Sequence, residues 1–185
     1  GYGEFGIVLS GTTHNLIEGN YISGLNQGIH LKNTPQYNVI RNNTISNTGQ
    51  SSIVVGSSKG VLQGNLISGN ILEGSAVEDG IQFLQTVDLP DGPQRAADIS
   101  NLGTIVRDNV IRNHVENAID LKGAARVVIE GNIIYGIVGS SDGPLYGWNR
   151  NAHGSITRGT NTSTRDVIIR NNVIYDSAPA TRVYQ

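Results

Sequence analysis

The sequence contains no cysteine, and aromatic residues make up only 5% of its 185 positions. The absence of cysteine excludes disulfide frameworks, thiol catalysis and cysteine-ligated zinc, and it is compatible with any compartment. No apolar run approaches the ~18 residues of a membrane-spanning helix, which argues against a membrane protein. The net charge of −2 comes without a basic stripe, so nucleic-acid binding has no electrostatic support.

What the sequence has instead is glycine, at 24 positions, and a phrase that recurs along the chain. NLIEGNYISG (15–24) returns as NVIRNNTISN (38–47), NLISGNILEG (65–74), TIVRDNVIRN (104–113), VVIEGNIIYG (127–136) and DVIIRNNVIYD (166–176). Alignment of the copies gives one asparagine at the same place in each: Asn20, Asn43, Asn70, Asn109, Asn132 and Asn172. Short β-branched segments between Gly, Asn and Asp turns predict strands rather than helices.

A second phrase follows each copy of the first, as in GIHLKN (28–33), GIQFLQ (80–85), AIDLKG (118–123) and SITRGT (155–160). Alternation with period two predicts that these side chains point inward: Ile29, Leu31, Ile81, Phe83, Ile119 and Leu121. It predicts that these point outward: His30, Lys32, Gln82, Asp120 and Lys122. The repeat therefore predicts one domain, 1–185, of about six to seven coils.

The two phrases together resemble the right-handed parallel β-helix proteins of the pectate-lyase-like superfamily, over essentially the whole chain. The resemblance implies the right-handed coil, an internal ladder of stacked asparagines and an extracellular or cell-surface location. That superfamily includes lyases, hydrolases, epimerases and structural spikes, so the fold does not fix the chemistry. Neither end carries a capping helix, which predicts either a part of a longer chain or coils that associate end to end.

Three segments depart from the repeat, at 58–64, 86–103 and 137–154, and the two longer ones border the same outer sheet face. Long loops on a rigid scaffold often carry function. We expect them to wall a groove whose floor is formed by Gln82, Asp120, Lys122 and Thr157. Three successive strands of this floor are each preceded by a polar pair: Glu78-Asp79, Glu116-Asn117 and His153-Gly154. Two acidic pairs and a histidine are therefore expected beside one another at the start of these strands.

These residues suggest a lyase that acts on a uronic-acid polysaccharide, with a glycoside hydrolase as the less favoured enzyme. Lys122 or His153 would remove the α-proton, with Asp120 beside them, and Ca²⁺ at Asp79, Glu116 and Asp120 or nearby arginines would neutralise the substrate carboxylate. AIDLK loosely resembles the Asp-x-x-Lys of β-helix lyases in which lysine is the base. The candidate substrate-binding residues are Gln82, Tyr146, Trp148, Arg150 and Arg158.

Plainer interpretations stand beside these. Asp120 and Lys122 would also suit a solvated outer surface. His153 would also suit a turn. Trp148 would also suit a loop that packs its own aromatic ring over the helix wall. A lysine beside Asp120 stays charged, which counts against Lys122 as the base. The alternative function is a non-catalytic solenoid, a segment of a surface, adhesin-like or filament protein.

Overall fold

The computed structural model describes residues 3–56, 62–84, 101–122, 124–138, 156–158, 164 and 166–177. Within these ranges the secondary structure consists of strands, and no helix is long and apolar enough to cross a membrane. All strand pairs are parallel. Because each strand pairs with its counterpart in the next repeat, the chain winds as a coil.

The described strands form four parallel sheets, three of six strands and one of three. Sheet A contains β1 (Gly3–Ser10), β4 (Leu25–Lys32), β7 (Ile53–Gly56), β11 (Ile81–Leu84), β15 (Ile119–Leu121) and β19 (Ile156–Arg158). Sheet B contains β8 (Leu62–Gln63), β12 (Asn101–Leu102) and β16 (Ala124–Ala125). Sheet C contains β2 (Leu16–Glu18), β5 (Val39–Arg41), β9 (Leu66–Ser68), β13 (Ile105–Arg107), β17 (Val128–Glu130) and β20 (Ile168–Arg170). Sheet D contains β3 (Tyr21–Ser23), β6 (Thr44–Thr48), β10 (Ile71–Ser75), β14 (Val110–Arg112), β18 (Ile133–Tyr135) and β21 (Val173–Tyr175).

The core is a narrow column of aliphatic side chains enclosed by these sheets. Inward alternation in sheet A is confirmed, because the six side chains predicted to face the core are buried: Ile29, Leu31, Ile81, Phe83, Ile119 and Leu121. The central residues of sheets C and D complete the column, as Ile40 and Ile45 do in the second repeat. Each coil thus buries its apolar side chains against the coils above and below it.

The predicted asparagine ladder is present at the turn between sheets C and D. The side-chain amide of each ladder asparagine donates to the Oδ1 of the next, at 2.9 to 3.0 Å, from Asn20 through to Asn172. The preceding residue has a positive φ in every coil, 69° at Gly19 and 55° at Asn42, for example. Glycine and asparagine tolerate this left-handed conformation best, which explains the Gly/Asn/Asp preference at that position.

A second, shorter ladder lies five residues earlier in each repeat and was not predicted. Asn15 donates to the Oδ1 of Asn38 at 2.9 Å, and Asn38 donates to that of Asn65 at 3.1 Å. Thr104 takes the next position, where its buried hydroxyl has no partner among the described residues. The longer ladder is therefore the continuous one.

The insertion boundaries require a correction. The sequence places Leu62–Gln63 and Asn101–Leu102 in the insertions 58–64 and 86–103. In the structure they form β8 and β12 of sheet B and pair with each other. They lie just before the sheet C strands, where short stretches without a repeated phrase still complete a coil. Most of 86–103 and 137–154 lies outside the described residues.

Candidate functional site

Five ionisable side chains gather where β11 and β15 begin and on the outer face of β15. Glu78 and Asp79 precede β11, Glu116 precedes β15, Asp120 lies within β15, and Lys122 follows it. We call these residues the acid cluster. Parallel pairing stacks the two strand starts, since the Gly80 amide donates to the Asn117 carbonyl at 2.9 Å and Ile81 N donates to Ala118 O at 2.8 Å. The coil geometry therefore brings four carboxyl groups and one ammonium together.

Asp79 is the innermost member of the acid cluster and is fully buried. Its Oδ1 accepts from the backbone N of Asn117 at 3.0 Å and from the Asn117 side-chain amide at 2.7 Å. Its Oδ2 is buried and has no hydrogen-bond partner among the described residues. Burial, followed by the charges of Asp120 and Glu116, raises the pKa of Asp79 well above its ordinary value. The Asp79 carboxyl group is consequently easier to protonate than an exposed aspartate.

Asp120 and Lys122 form a tight ion pair, with Lys122 Nζ 2.5 Å from Asp120 Oδ2. Burial alone would lower the pKa of Lys122, but the nearby carboxylates of Asp120, Asp79 and Glu116 outweigh it and raise the pKa. Lys122 therefore stays protonated, as the sequence suggested. This state suits neutralisation of an anion and opposes proton abstraction by the lysine amine.

Glu116 and Glu78 form the outer, partly exposed side of the acid cluster. Burial, reinforced by Asp120 and Glu78 and opposed by Lys122, raises the pKa of Glu116 to about 7. Burial also raises the pKa of Glu78, although its Oε2 accepts a hydrogen bond from the Ser51 hydroxyl at 3.0 Å. A carboxyl group that titrates near neutrality can exchange a proton with a substrate at the pH where most enzymes work.

The predicted groove floor is more enclosed than the sequence suggested. Outward residues of sheet A align as expected, with Gln82 beside Asp120 and Asp120 beside Thr157 in the strand register. Gln82 is nevertheless only 7% exposed and Asp120 only 3%, so the solvated-surface interpretation of Asp120 is wrong. The side chain of Lys122 is 36% exposed, so it can meet a ligand directly.

Four residues predicted for the site, Tyr146, Trp148, Arg150 and His153, lie outside the described residues. Arg158 belongs to β19, where its backbone aligns with Leu121. Their roles in substrate binding or catalysis stay predictions.

Two contributors were missed from the sequence. Asn117 donates two hydrogen bonds to Asp79. The sequence signal for this contact is that both residues stand two positions before the first core isoleucine of their strands, in successive coils. His114 is fully buried with Nδ1 3.1 Å from the Ser75 hydroxyl, which in turn donates to the Glu78 carbonyl. Burial lowers the pKa of His114 to about 4, so this neutral imidazole supports the backbone beneath Glu78.

The calcium hypothesis finds no support among the described residues, because no three of their Asp, Glu or His side chains are placed to share a metal ion. Asp79 Oδ1 is occupied by Asn117, and Asp120 is paired with Lys122. The mechanism proposed below therefore uses no calcium.

Taken together, parallel pairing, the stacked asparagines and the aliphatic core define a parallel β-helix. Residues 2–85 match the family model described as "Periplasmic copper-binding protein (NosD)". Among solved structures, an alginate lyase from Paenibacillus sp. str. FPU-7 is similar, with a TM-score of 0.62 and 18% identity. The match covers 94% of this chain but 54% of the lyase, so the chain spans about half of that structure. No curated protein matches the sequence significantly.

The donor set within the described residues does not fit the copper named in the NosD description. The chain has no cysteine and no methionine, the soft ligands that favour Cu(I). His14 stacks on Tyr37 and His30 packs against Phe5, with ring centroids 5.3 and 5.5 Å apart. These two imidazoles belong to no three-residue ligand group among the described residues, so they do not form a copper site there.

Proposed function

We propose that this chain is a carbohydrate-directed β-helix protein, and that the acid cluster is the site of a lyase acting on a uronic-acid polymer. The observation that carries the proposal is that the acid cluster holds both a charged, reachable lysine, Lys122, and a carboxyl group whose pKa is raised to about 7, Glu116. The fold that the chain shares with an alginate lyase supports the same substrate class.

Each group has a role in β-elimination. The Lys122 ammonium, held charged by Asp120, neutralises the uronate carboxylate and so acidifies the adjacent C–H. The Glu116 carboxylate accepts that proton, and the C–H electron pair forms the new C=C bond. The C–O bond breaks, and the glycosidic oxygen leaves with its electron pair and takes a proton from water. Asp79 and Asp120 are buried and serve by setting the charge of these two groups.

The test is incubation of the 185-residue chain with alginate, pectin and glycosaminoglycans, with and without calcium. Elimination produces both new reducing ends and an ultraviolet-absorbing unsaturated uronate, whereas hydrolysis produces reducing ends alone. We expect both signals, and we expect Glu116→Gln to lower kcat by about 10²-fold or more, the usual contribution of a general base. Glu18→Gln, a change to an exposed glutamate on sheet C, is the matched control. Silence on every polymer would contradict the proposal.

A second candidate is a non-catalytic solenoid of a surface or filament protein. The observation that favours it is the number of exposed apolar side chains on sheets C and D: Leu16, Tyr21, Ile71, Ile105, Ile133, Ile168 and Val173. Exposed apolar surface of this kind often marks an interaction site. This function predicts polysaccharide binding or self-association without bond cleavage. Either candidate would place the chain outside the cytoplasm, in keeping with the periplasmic description of the matched family.

A further inference from the structure

The outer face of sheet C carries a column of polar side chains, one from each coil, at the last strand position. In coil order the column reads Glu18, Arg41, Ser68, Arg107, Glu130 and Arg170. The register places each of these residues directly beside the next. Two ion pairs lie within this column, Arg41 with Glu18 and Arg170 with Glu130, both at 2.8 Å. All six side chains are exposed or half-buried, so the column is an accessible surface.

The order of charges along this column is complementary to the same order read backwards. Against a second copy running in the opposite direction, Glu18 faces Arg170, Arg41 faces Glu130, and Ser68 faces Arg107. Every charge then meets an opposite charge or a hydroxyl. Two copies running in the same direction would instead place like residues together, with glutamate on glutamate and arginine on arginine. Like-charge contacts of this kind disfavour an interface strongly, so the pattern selects the antiparallel arrangement.

The neighbouring columns fit the same arrangement. Two positions earlier in each strand the outward residues are all aliphatic: Leu16, Val39, Leu66, Ile105, Val128 and Ile168. They therefore meet aliphatic residues in either direction, and Leu16 and Ile168 at the two ends are 54% and 50% exposed. At the bend that precedes the strands, exposed His14 would face Asp166 and exposed Tyr37 would face Arg126. These are again favourable pairs.

We infer that sheet C is an interface with a second copy of this chain, docked face to face and antiparallel about a two-fold axis. Such an interface is isologous, because each contact between two residues occurs twice. Six coils spaced ~4.8 Å apart give a contact ~24 Å long and one three-residue strand wide. An area of this size belongs with small, transient interfaces, so the dimer forms at high protein concentration and weakens with salt.

Sheet D carries a weaker version of the same pattern. Its outward polar column holds one acid and one base, Glu73 and Arg112, which already bond to each other at 2.6 Å. Arg112 also donates to the Tyr135 hydroxyl at 2.8 Å. Sheet D therefore provides the matched control, a surface ion pair of the same kind on another face.

Cysteine cross-linking tests the orientation directly, since the chain has no cysteine of its own. We expect a mixture of Glu18→Cys and Arg170→Cys proteins to form a disulfide-linked heterodimer under mild oxidation at high concentration. Each variant alone should stay unlinked, because its two copies of the new cysteine lie ~24 Å apart, far beyond the reach of a disulfide. Efficient self-linking of Glu18→Cys would overturn the antiparallel arrangement, and an absence of linking in the mixture would overturn the interface.

Sedimentation over a range of concentrations gives an independent readout. Glu18→Arg places arginine against Arg170 of the second copy, so we expect at least a tenfold weaker dimer, and Glu18→Arg combined with Arg170→Glu should restore it. Glu73→Arg on sheet D should leave the dimer unchanged. A wild-type chain that stays monomeric throughout, or a dimer that only Glu73→Arg disrupts, would refute the assignment to sheet C.

Discussion

Replacement of one interior rung of the long asparagine ladder should cost far more stability than replacement of its first rung. The Asn70 side chain takes part in four hydrogen bonds, two accepted from Asn43 and two donated, to Ile40 O and Asn109 Oδ1. Each buried bond contributes about 1 kcal/mol net, so Asn70→Ala should lower the free energy of unfolding by about 4 kcal/mol. The Asn43 amide left without its acceptor adds to this loss.

Asn20 is the matched control, because its side chain donates two hydrogen bonds, to Glu18 O and Asn43 Oδ1, at a partly exposed position. We expect Asn20→Ala to cost about 1–2 kcal/mol. Urea denaturation followed by circular dichroism measures the free energy of unfolding of both variants under the same conditions. If Asn70→Ala were no more destabilising than Asn20→Ala, the ladder would not be a main source of stability, and aliphatic stacking alone would hold the coils together.

Two further predictions concern buried His114 and the close packing around Gly28. The pKa of His114 falls from 6.5 to about 4 on folding, so its contribution to the free energy of unfolding is complete above pH 6.5. As pH falls toward 4, this free energy should drop by roughly 3 kcal/mol. In the His114→Gln variant, the free energy of unfolding should no longer show this part of the pH dependence. Gly28→Ala should lower the free energy of unfolding by about 1–3 kcal/mol, because the new Cβ would lie 2.5 Å from the Ser52 carbonyl oxygen. Gly24→Asn should be nearly neutral in the same assay. Gly24 has a positive φ, and Asn47 and Asn113 have a positive φ at the same position of other coils.

The sequence predicts the coil because its informative positions are set by local constraints repeated many times. The left-handed bend before each ladder asparagine admits few residue types, so Gly19, Asn42 and Asp108 mark it plainly. The core isoleucines follow from strand alternation. Sheet B could not be predicted from the sequence, because its two-residue strands contain no repeated sequence pattern. The strand β16, for example, consists of Ala124–Ala125 alone. The backbone pairing that makes them strands depends on neighbouring coils rather than on their own side chains.

The site was predictable in position but not in burial. Alignment of the repeats was enough to bring Glu78, Asp79, Glu116 and Asp120 together, since stacked coils convert sequence register into proximity. Period-two alternation gives the direction of a side chain relative to the sheet, and outward is not the same as exposed. Asp120 and Gln82 point away from the core and are still buried, so the pKa shifts of their neighbours could not be foreseen from the pattern.

Asp79 gives the sharpest test of whether the acid cluster is kept for function rather than stability. Asp79→Asn retains the Oδ1 that accepts from Asn117 and removes a carboxyl group whose Oδ2 is buried without a partner among the described residues. The pKa of Asp79 is raised on folding, so the wild type loses stability as pH rises above the ordinary value of 3.8, and the asparagine variant does not. We expect the variant to be more stable than the wild type at neutral pH, by about 1–3 kcal/mol, and equal to it in strong acid.

The same variant should lose activity, because the Asp79 carboxyl contributes to the field that keeps Lys122 protonated. A gain in stability joined to a loss of activity is the pattern expected of a group retained at a functional site. Unfolding curves at several pH values, measured beside uronate release, give both quantities from one preparation. If Asp79→Asn were less stable than the wild type at neutral pH, the carboxyl group would be a structural element of the coil. The acid cluster would then have to be explained by packing rather than by chemistry.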